Sequence, residues 1–81
     1  MIEQVRGLVA DHGGLAVDVA TLAEDTDLYR AGMSSFASVQ LMLALEETFD
    51  IEFPETMLSP KTFSSLGAIQ AAVQQLTGAT A

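Results

Sequence analysis

The residues best suited to chemistry lie in one stretch, Arg30-Ala31-Gly32-Met33-Ser34-Ser35-Phe36, which runs into the largely apolar segment Val39 to Leu45. A glycine, two adjacent hydroxyl side chains and then an amphipathic run describe a loop that turns into a helix N-terminus. The first backbone N–H groups of a helix lack intrahelical partners and carry the positive end of its dipole, so a phosphate attached to a serine is well tolerated there. One of the two serines is therefore a candidate for covalent attachment. Serine is also a favoured helix N-cap, and a purely structural role suits either residue alone.

Other chemistries are poorly supported. The chain has no cysteine and a single histidine, His12, so no thiolate and no histidine cluster is available to bind metal or attack a substrate. A hydrolase built from Ser34 or Ser35 with His12 would need an oxyanion site and a substrate pocket that nothing in the sequence indicates. His12 followed by Gly13-Gly14 fits the end of a helix instead.

The elements that position the serines are helical. Ile2, Val5, Leu8 and Val9 recur at helical spacing and predict a first helix from Met1 to about Asp11. Residues 15–33 predict an ordered loop with a helical turn near Leu22. The alternation of Val17 and Val19 suits a short strand, but a lone strand has no pairing partner. Asp25 and Asp27 are expected to cap turns, and Leu28 and Tyr29 to anchor the loop in the core. A connection of this length in a small domain points to function or special packing.

The second helix is expected from Ser35 to Phe49. At about 100° per residue, Leu41, Met42, Leu45 and Phe49 share a core face, while Phe36, Val39 and Leu43 fall on a roughly opposite one. A surface helix needs only one apolar stripe. The second either lies beneath the long loop or forms a docking patch, with Gln40, Glu46 and Glu47 within or beside it. Ile51 to Pro54 reads as an extended link, because the residue before proline avoids helical geometry. A short helical turn follows at 55–58. Phe63 then acts as a staple before an N-cap at Ser64, and a last helix buries Leu66, Ile69, Val73 and Leu76. Residues 77–81 are expected to fray. The predicted fold is all-α, a small four-helix bundle with three main helices, one short helix and a long first loop, forming a single domain over 1–81.

Charge bears on partners. Eleven acids against Arg6, Arg30 and Lys61 give a net charge of −8 over 81 residues. Such a surface repels nucleic acid and anionic lipid and favours basic protein partners. No basic residue separates Arg30 from Lys61, yet Glu46, Glu47, Asp50, Glu52 and Glu55 all fall between them. Glu46 and Glu47 stand near a helix C-terminus, where the dipole disfavours anions, and this placement tilts the reading toward partner recognition. The N-terminus lacks a secretory pattern, and no apolar stretch is long enough for a bilayer, so a cytoplasmic location is expected.

These features resemble one family. Gly-x-x-Ser opening an apolar helix, followed by Ala44-Leu45-Glu46-Glu47-x-Phe49-Asp50-Ile51-x-Phe53-Pro54 and by Ser65-Leu66-x-Ala68-Ile69, is similar to the acyl carrier proteins over nearly the whole chain. The resemblance implies that the motif serine carries 4′-phosphopantetheine through a phosphodiester, with cargo held as a thioester on the terminal thiol. In that family a large apolar residue follows the serine, which matches Ser35 before Phe36. The resemblance further implies a carrier with no catalytic activity of its own, working as a monomer. Its partners would be a phosphopantetheinyl transferase, an acyl or amino acid:carrier protein ligase and downstream acyl-transferring enzymes. Met33, Ser34, Phe36, Val39, Gln40, Leu43, Glu46 and Glu47 are the expected partner-binding residues. Family members commonly have aspartate directly before the serine, where this chain has Ser34. That Gly-Met-Ser-Ser sequence looks more like discrete carriers outside the main fatty-acid synthase, and among them the small aminoacyl carriers. A fatty-acid or polyketide carrier and an unmodified acidic interaction module are the alternatives.

Overall fold

In a computed structural model that describes residues 2–15 and 17–78, helix α1 spans Ile2–His12 and turns Val5 and Val9, four apart, fully into the core. The Gly13 N–H donates to the Val9 carbonyl at 2.8 Å, and Gly14 takes the left-handed φ of 66° that ends the helix. His12 is exposed in the last turn, where a cation complements the dipole. The expected start at Met1 lies outside the described residues.

The long connection holds a 3₁₀ turn at Val19–Thr21, beside the expected Leu22. Asp18 caps it, its Oδ1 accepting from the Ala20 N–H at 3.0 Å. Val19 is buried whereas Val17 is exposed, and the described residues contain no strand. Arg6 pins this turn to α1, donating to the carbonyls of Val19 at 2.9 Å and Leu22 at 2.8 Å. One of only three basic side chains is thus spent on internal carbonyls, a role its place in the sequence does not reveal. The far end of the loop is tied to the start of the last helix. The Leu28 N–H donates to the Ser64 carbonyl at 2.7 Å, and the Gly67 N–H to the Glu24 carbonyl at 2.8 Å. A Cβ on Gly67 would lie 3.2 Å from that same carbonyl oxygen, close enough to press on this tie. Asp27 caps a turn as expected, but Asp25 makes no such bond among the described residues.

Helix α2 spans Ser35–Phe49. Leu41 and Leu45 are fully buried, with Met42 and Phe49 packed against the same core, so the predicted inner face is correct. Asp50 closes the helix in left-handed geometry (φ 54°, ψ 51°), and the Ile51 N–H returns to the Glu46 carbonyl at 3.0 Å. An anion here opposes the helix dipole by a few tenths to about 1 kcal/mol. Asp50→Asn keeps a residue that tolerates this geometry and removes the charge. It should therefore raise the melting temperature, and the gain should shrink as salt is added. An unchanged or lower melting temperature at low salt would refute the dipole argument.

After the extended link, 3₁₀ turns at Glu55–Met57 and Pro60–Phe63 replace the one short helix expected, and α3 spans Leu66–Thr77. Pro60 suits the first position of a turn, so Phe63 is the end of that turn and a core residue rather than a staple. Its ring meets Phe53 edge-on, with centroids 5.3 Å apart. Ser64 is not the N-cap, because its hydroxyl donates to the Lys61 carbonyl at 2.9 Å. Ser65 takes that role, accepting from the Ala68 N–H at 3.1 Å. Leu66, Ile69 and Val73 are fully buried and Leu76 partly so. Thr77 belongs to the helix rather than to a tail, Gly78 ends it at φ 70°, and the rest of the expected tail lies outside the described residues.

Candidate functional site

The loop before α2 is built to present its serines in fixed positions. Asp27 Oδ1 accepts from the Tyr29 N–H at 3.0 Å, and the Ala31 N–H donates to the Asp27 carbonyl at 3.1 Å. The Gly32 N–H donates to the Tyr29 carbonyl at 3.1 Å, and Gly32 adopts φ 117°, a conformation that only glycine takes without strain. The Met33 N–H then bonds the Leu28 carbonyl at 3.0 Å, and the Met33 side chain, only 3% exposed, locks the loop into the core. Met33 was expected at the partner surface. Its side chain is unavailable there because it anchors the turn.

The two serines divide their tasks. Ser34, in extended geometry, is the N-cap, and its Oγ accepts from the Ala37 N–H at 3.0 Å. Ser35 occupies the first helical position, exposed, and its hydroxyl has no hydrogen-bond partner among the described residues. Its carbonyl is engaged, by the Ser38 hydroxyl at 2.7 Å. A capping role is therefore filled by Ser34, which leaves Ser35 Oγ available at the positive end of the helix.

Ser35 also lies on the edge of a hollow of about 290 Å³, walled by Tyr29, Val39, Met42, Leu58, Pro60 and Phe63. By sequence Tyr29 and Met42 are expected in the core, Val39 in the outer patch, Leu58 in a short helical turn and Phe63 as a staple. No local signal could have grouped them, since they come from three separate segments.

On the outer face of α2, Phe36 is 74% exposed, and Val39 and Leu43 are each 49% exposed. Gln40 and Glu47 are exposed beside them. The long loop does not cover this stripe. Glu46 differs from its neighbour. It is half-buried, and its Oε2 accepts from the Phe53 N–H at 2.8 Å, closing the turn after the helix. Its awkward position near the helix end thus has a structural reason, and of the two glutamates there only Glu47 is left as an exposed charge facing solvent.

Known proteins match this arrangement. Residues 3–73 match the family described as the phosphopantetheine attachment site. The aminoacyl carrier protein of Agrobacterium fabrum strain C58 is 53% identical over 70 residues, covering 86% of this chain and 84% of that protein. A crystal structure of an engineered Bradyrhizobium japonicum glycine:[carrier protein] ligase with AMP and a carrier protein from Agrobacterium tumefaciens contains a chain with a TM-score of 0.89. That chain is 51% identical, and the match covers 91% of this chain and 99% of that one. A crystal structure of the Bradyrhizobium japonicum ligase with glycylated carrier protein gives 0.66 at 28% identity, over 88% and 90% of the two chains. The chain belongs to the phosphopantetheine-dependent carrier proteins, among their aminoacyl carriers. Its cofactor is 4′-phosphopantetheine, and a free serine hydroxyl at a helix N-terminus beside an open hollow is a fitting place for it.

Proposed function

We propose that Ser35 is the attachment point, and that the chain carries an amino acid without catalysing any reaction itself. The observation that carries this reading is the capping of α2 by Ser34, which leaves the Ser35 hydroxyl unpartnered and exposed. When bound, the group supplies a thiol that holds the cargo as a thioester. Ser35 holds its phosphodiester in the field of the first α2 amides, and Ser34 keeps that helix end formed. Phe36, Val39 and Leu43, with Gln40 and Glu47 beside them, present an apolar patch to successive enzymes, and the acidic surface speeds encounter with basic ones.

The partners in this proposal are a phosphopantetheinyl transferase, an amino acid:carrier protein ligase and the enzymes that accept the cargo. The glycine ligases bound to related carriers support a small amino acid as the load. The working state is a monomer in the cytoplasm. Among the described residues, no helix is long and apolar enough to cross a membrane.

The test is a loading assay. The phosphopantetheinylated protein, ATP and the Bradyrhizobium japonicum glycine ligase are mixed with single amino acids, and intact mass is read before and after hydroxylamine. A hydroxylamine-labile glycyl adduct is expected. Loading by a fatty-acyl ligase, with no amino acid accepted, would overturn the aminoacyl reading.

A further inference from the structure

The acids of this chain are unevenly placed. They run from Glu3 to Asp27 and again from Glu46 to Glu55, with no aspartate or glutamate between Leu28 and Leu45 or after Glu55. Those two acid-free stretches meet around Ser35. Tyr29, Val39 and Met42 from the first, and Leu58, Pro60 and Phe63 from the second, wall the same hollow. The charged side chains they carry are Arg30 and Lys61, both exposed. Ser35 therefore stands in a cationic zone of a chain whose net charge is −8.

Arg30 is the charge nearest to Ser35 in sequence, and the fold gives it little to do. Its side chain is 90% exposed, with Asp27 Oδ2 at 4.0 Å from its Nε, the outer limit of an ion pair. Asp27 Oδ1 is turned instead to the backbone N–H groups of Tyr29 and Arg30. The guanidinium makes no hydrogen bond among the described residues, whereas that of Arg6 is committed to the carbonyls of Val19 and Leu22. The backbone under Arg30 is nevertheless fixed. The Ala31 N–H donates to the Asp27 carbonyl and the Gly32 N–H to the Tyr29 carbonyl, each at 3.1 Å.

The opposite pole lies at the far end of α2, where Glu47, Asp50, Glu52 and Glu55 are exposed. Glu47 stands about 18 Å along the helix axis from Ser35. That exceeds the screening length of about 8 Å at physiological salt, so a partner meets the two poles separately. Between them the exposed face is uncharged, formed by Phe36, Val39, Gln40 and Leu43. A uniformly basic enzyme surface suits the far pole and is repelled at the tether.

We infer that Arg30 is a specificity-determining residue for the loading enzyme, an inference that rests on the aminoacyl carrier reading with Ser35 as tether. The partner is a ligase with a bipolar docking face. That face is acidic where it meets the Arg30 turn, apolar along Phe36, Val39 and Leu43, and basic opposite Glu47 and Asp50. The pattern fixes which way α2 lies across the enzyme, and so turns Ser35 toward the active site. An enzyme that docks its carriers through basic side chains alone meets Arg30 with like charge and is refused.

The experiment uses fully phosphopantetheinylated protein, verified by intact mass, and the Bradyrhizobium japonicum glycine ligase. The kcat/KM for glycylation is read across a salt series. Arg30→Glu should lose about tenfold at low salt, and the loss should shrink as salt is added. Arg30→Lys keeps the charge and should load at close to the wild-type rate. Ser34→Asp keeps a good N-cap and leaves the Asp27–Gly32 turn untouched, yet adds an acid beside the tether. Glu47→Lys reverses the far pole. Both should slow loading in the same salt-dependent way. Loading as fast as the wild type, or faster, by Arg30→Glu, Ser34→Asp or Glu47→Lys overturns the inference and leaves the carrier reading standing. A wild type that gains no hydroxylamine-labile glycyl adduct sinks the carrier reading, and this inference with it.

Discussion

Ser35→Ala should gain no prosthetic-group mass when incubated with coenzyme A and a broad-specificity phosphopantetheinyl transferase, while Ser34→Ala should gain one. The stabilities should change in the opposite order. Ser34 Oγ accepts from the Ala37 N–H at 3.0 Å, and losing an N-cap of this kind costs about 1 kcal/mol. For a domain of this size that corresponds to a fall in melting temperature of roughly 4–8 °C. The Ser35 hydroxyl bonds nothing among the described residues, and alanine is the better helix former, so Ser35→Ala should melt at or slightly above the wild-type temperature. The two variants thus separate chemistry from capping within one pair of neighbouring serines. Addition blocked by Ser34→Ala but not by Ser35→Ala would show that the attachment point is one residue earlier.

The same pair of serines shows what the sequence discloses. The bounds of α2, Ser35–Phe49, are legible because two local signals agree: a hydroxyl residue before a 3.6-residue apolar period at one end, and an extended Ile51-to-Pro54 link at the other. Its double stripe is legible for the same reason, since periodicity reports directions around a helix. Direction off a loop is a different matter. Met33 stands directly before Ser34, yet Gly32 at φ 117° swings it into the core, and a side chain's direction after such a turn has no periodic signature. Glu46 lies toward the outer stripe on a helical wheel, but its long side chain reaches forward to the Phe53 N–H seven residues on. The shift of the α3 cap from Ser64 to Ser65 follows from the Pro60–Phe63 turn, which uses the Ser64 hydroxyl first. The hollow has no local signature because its walls, Tyr29, α2 and the 58–63 segment, meet only in the folded chain. Local chemistry points to the two serines; tertiary packing makes their surroundings.

Phe36→Ala should slow loading by the ligase without lowering the melting temperature, and Met33→Ala should do the reverse. Phe36 is 74% exposed, so its removal costs the folded state little, whereas an enzyme that covers it would lose the burial of a large apolar side chain. That burial is worth about 1.5–3 kcal/mol, and at about 1.4 kcal/mol per factor of ten the loss in kcat/KM is roughly ten- to a hundredfold. The loss should appear mainly in KM, because docking contributes equally to ground and transition states. Glu47→Gln should instead change the salt dependence of kcat/KM, as a charge at the edge of an interface does. Met33, 3% exposed, leaves a cavity when truncated, and such core changes cost about 2–5 kcal/mol. In an 81-residue domain a loss of that size threatens folding itself, so Met33→Leu, which conserves volume, supplies the working control and should load normally. Loading of Phe36→Ala at the wild-type rate would remove the outer face of α2 as the docking surface. The partner would then have to recognise the loop or the hollow.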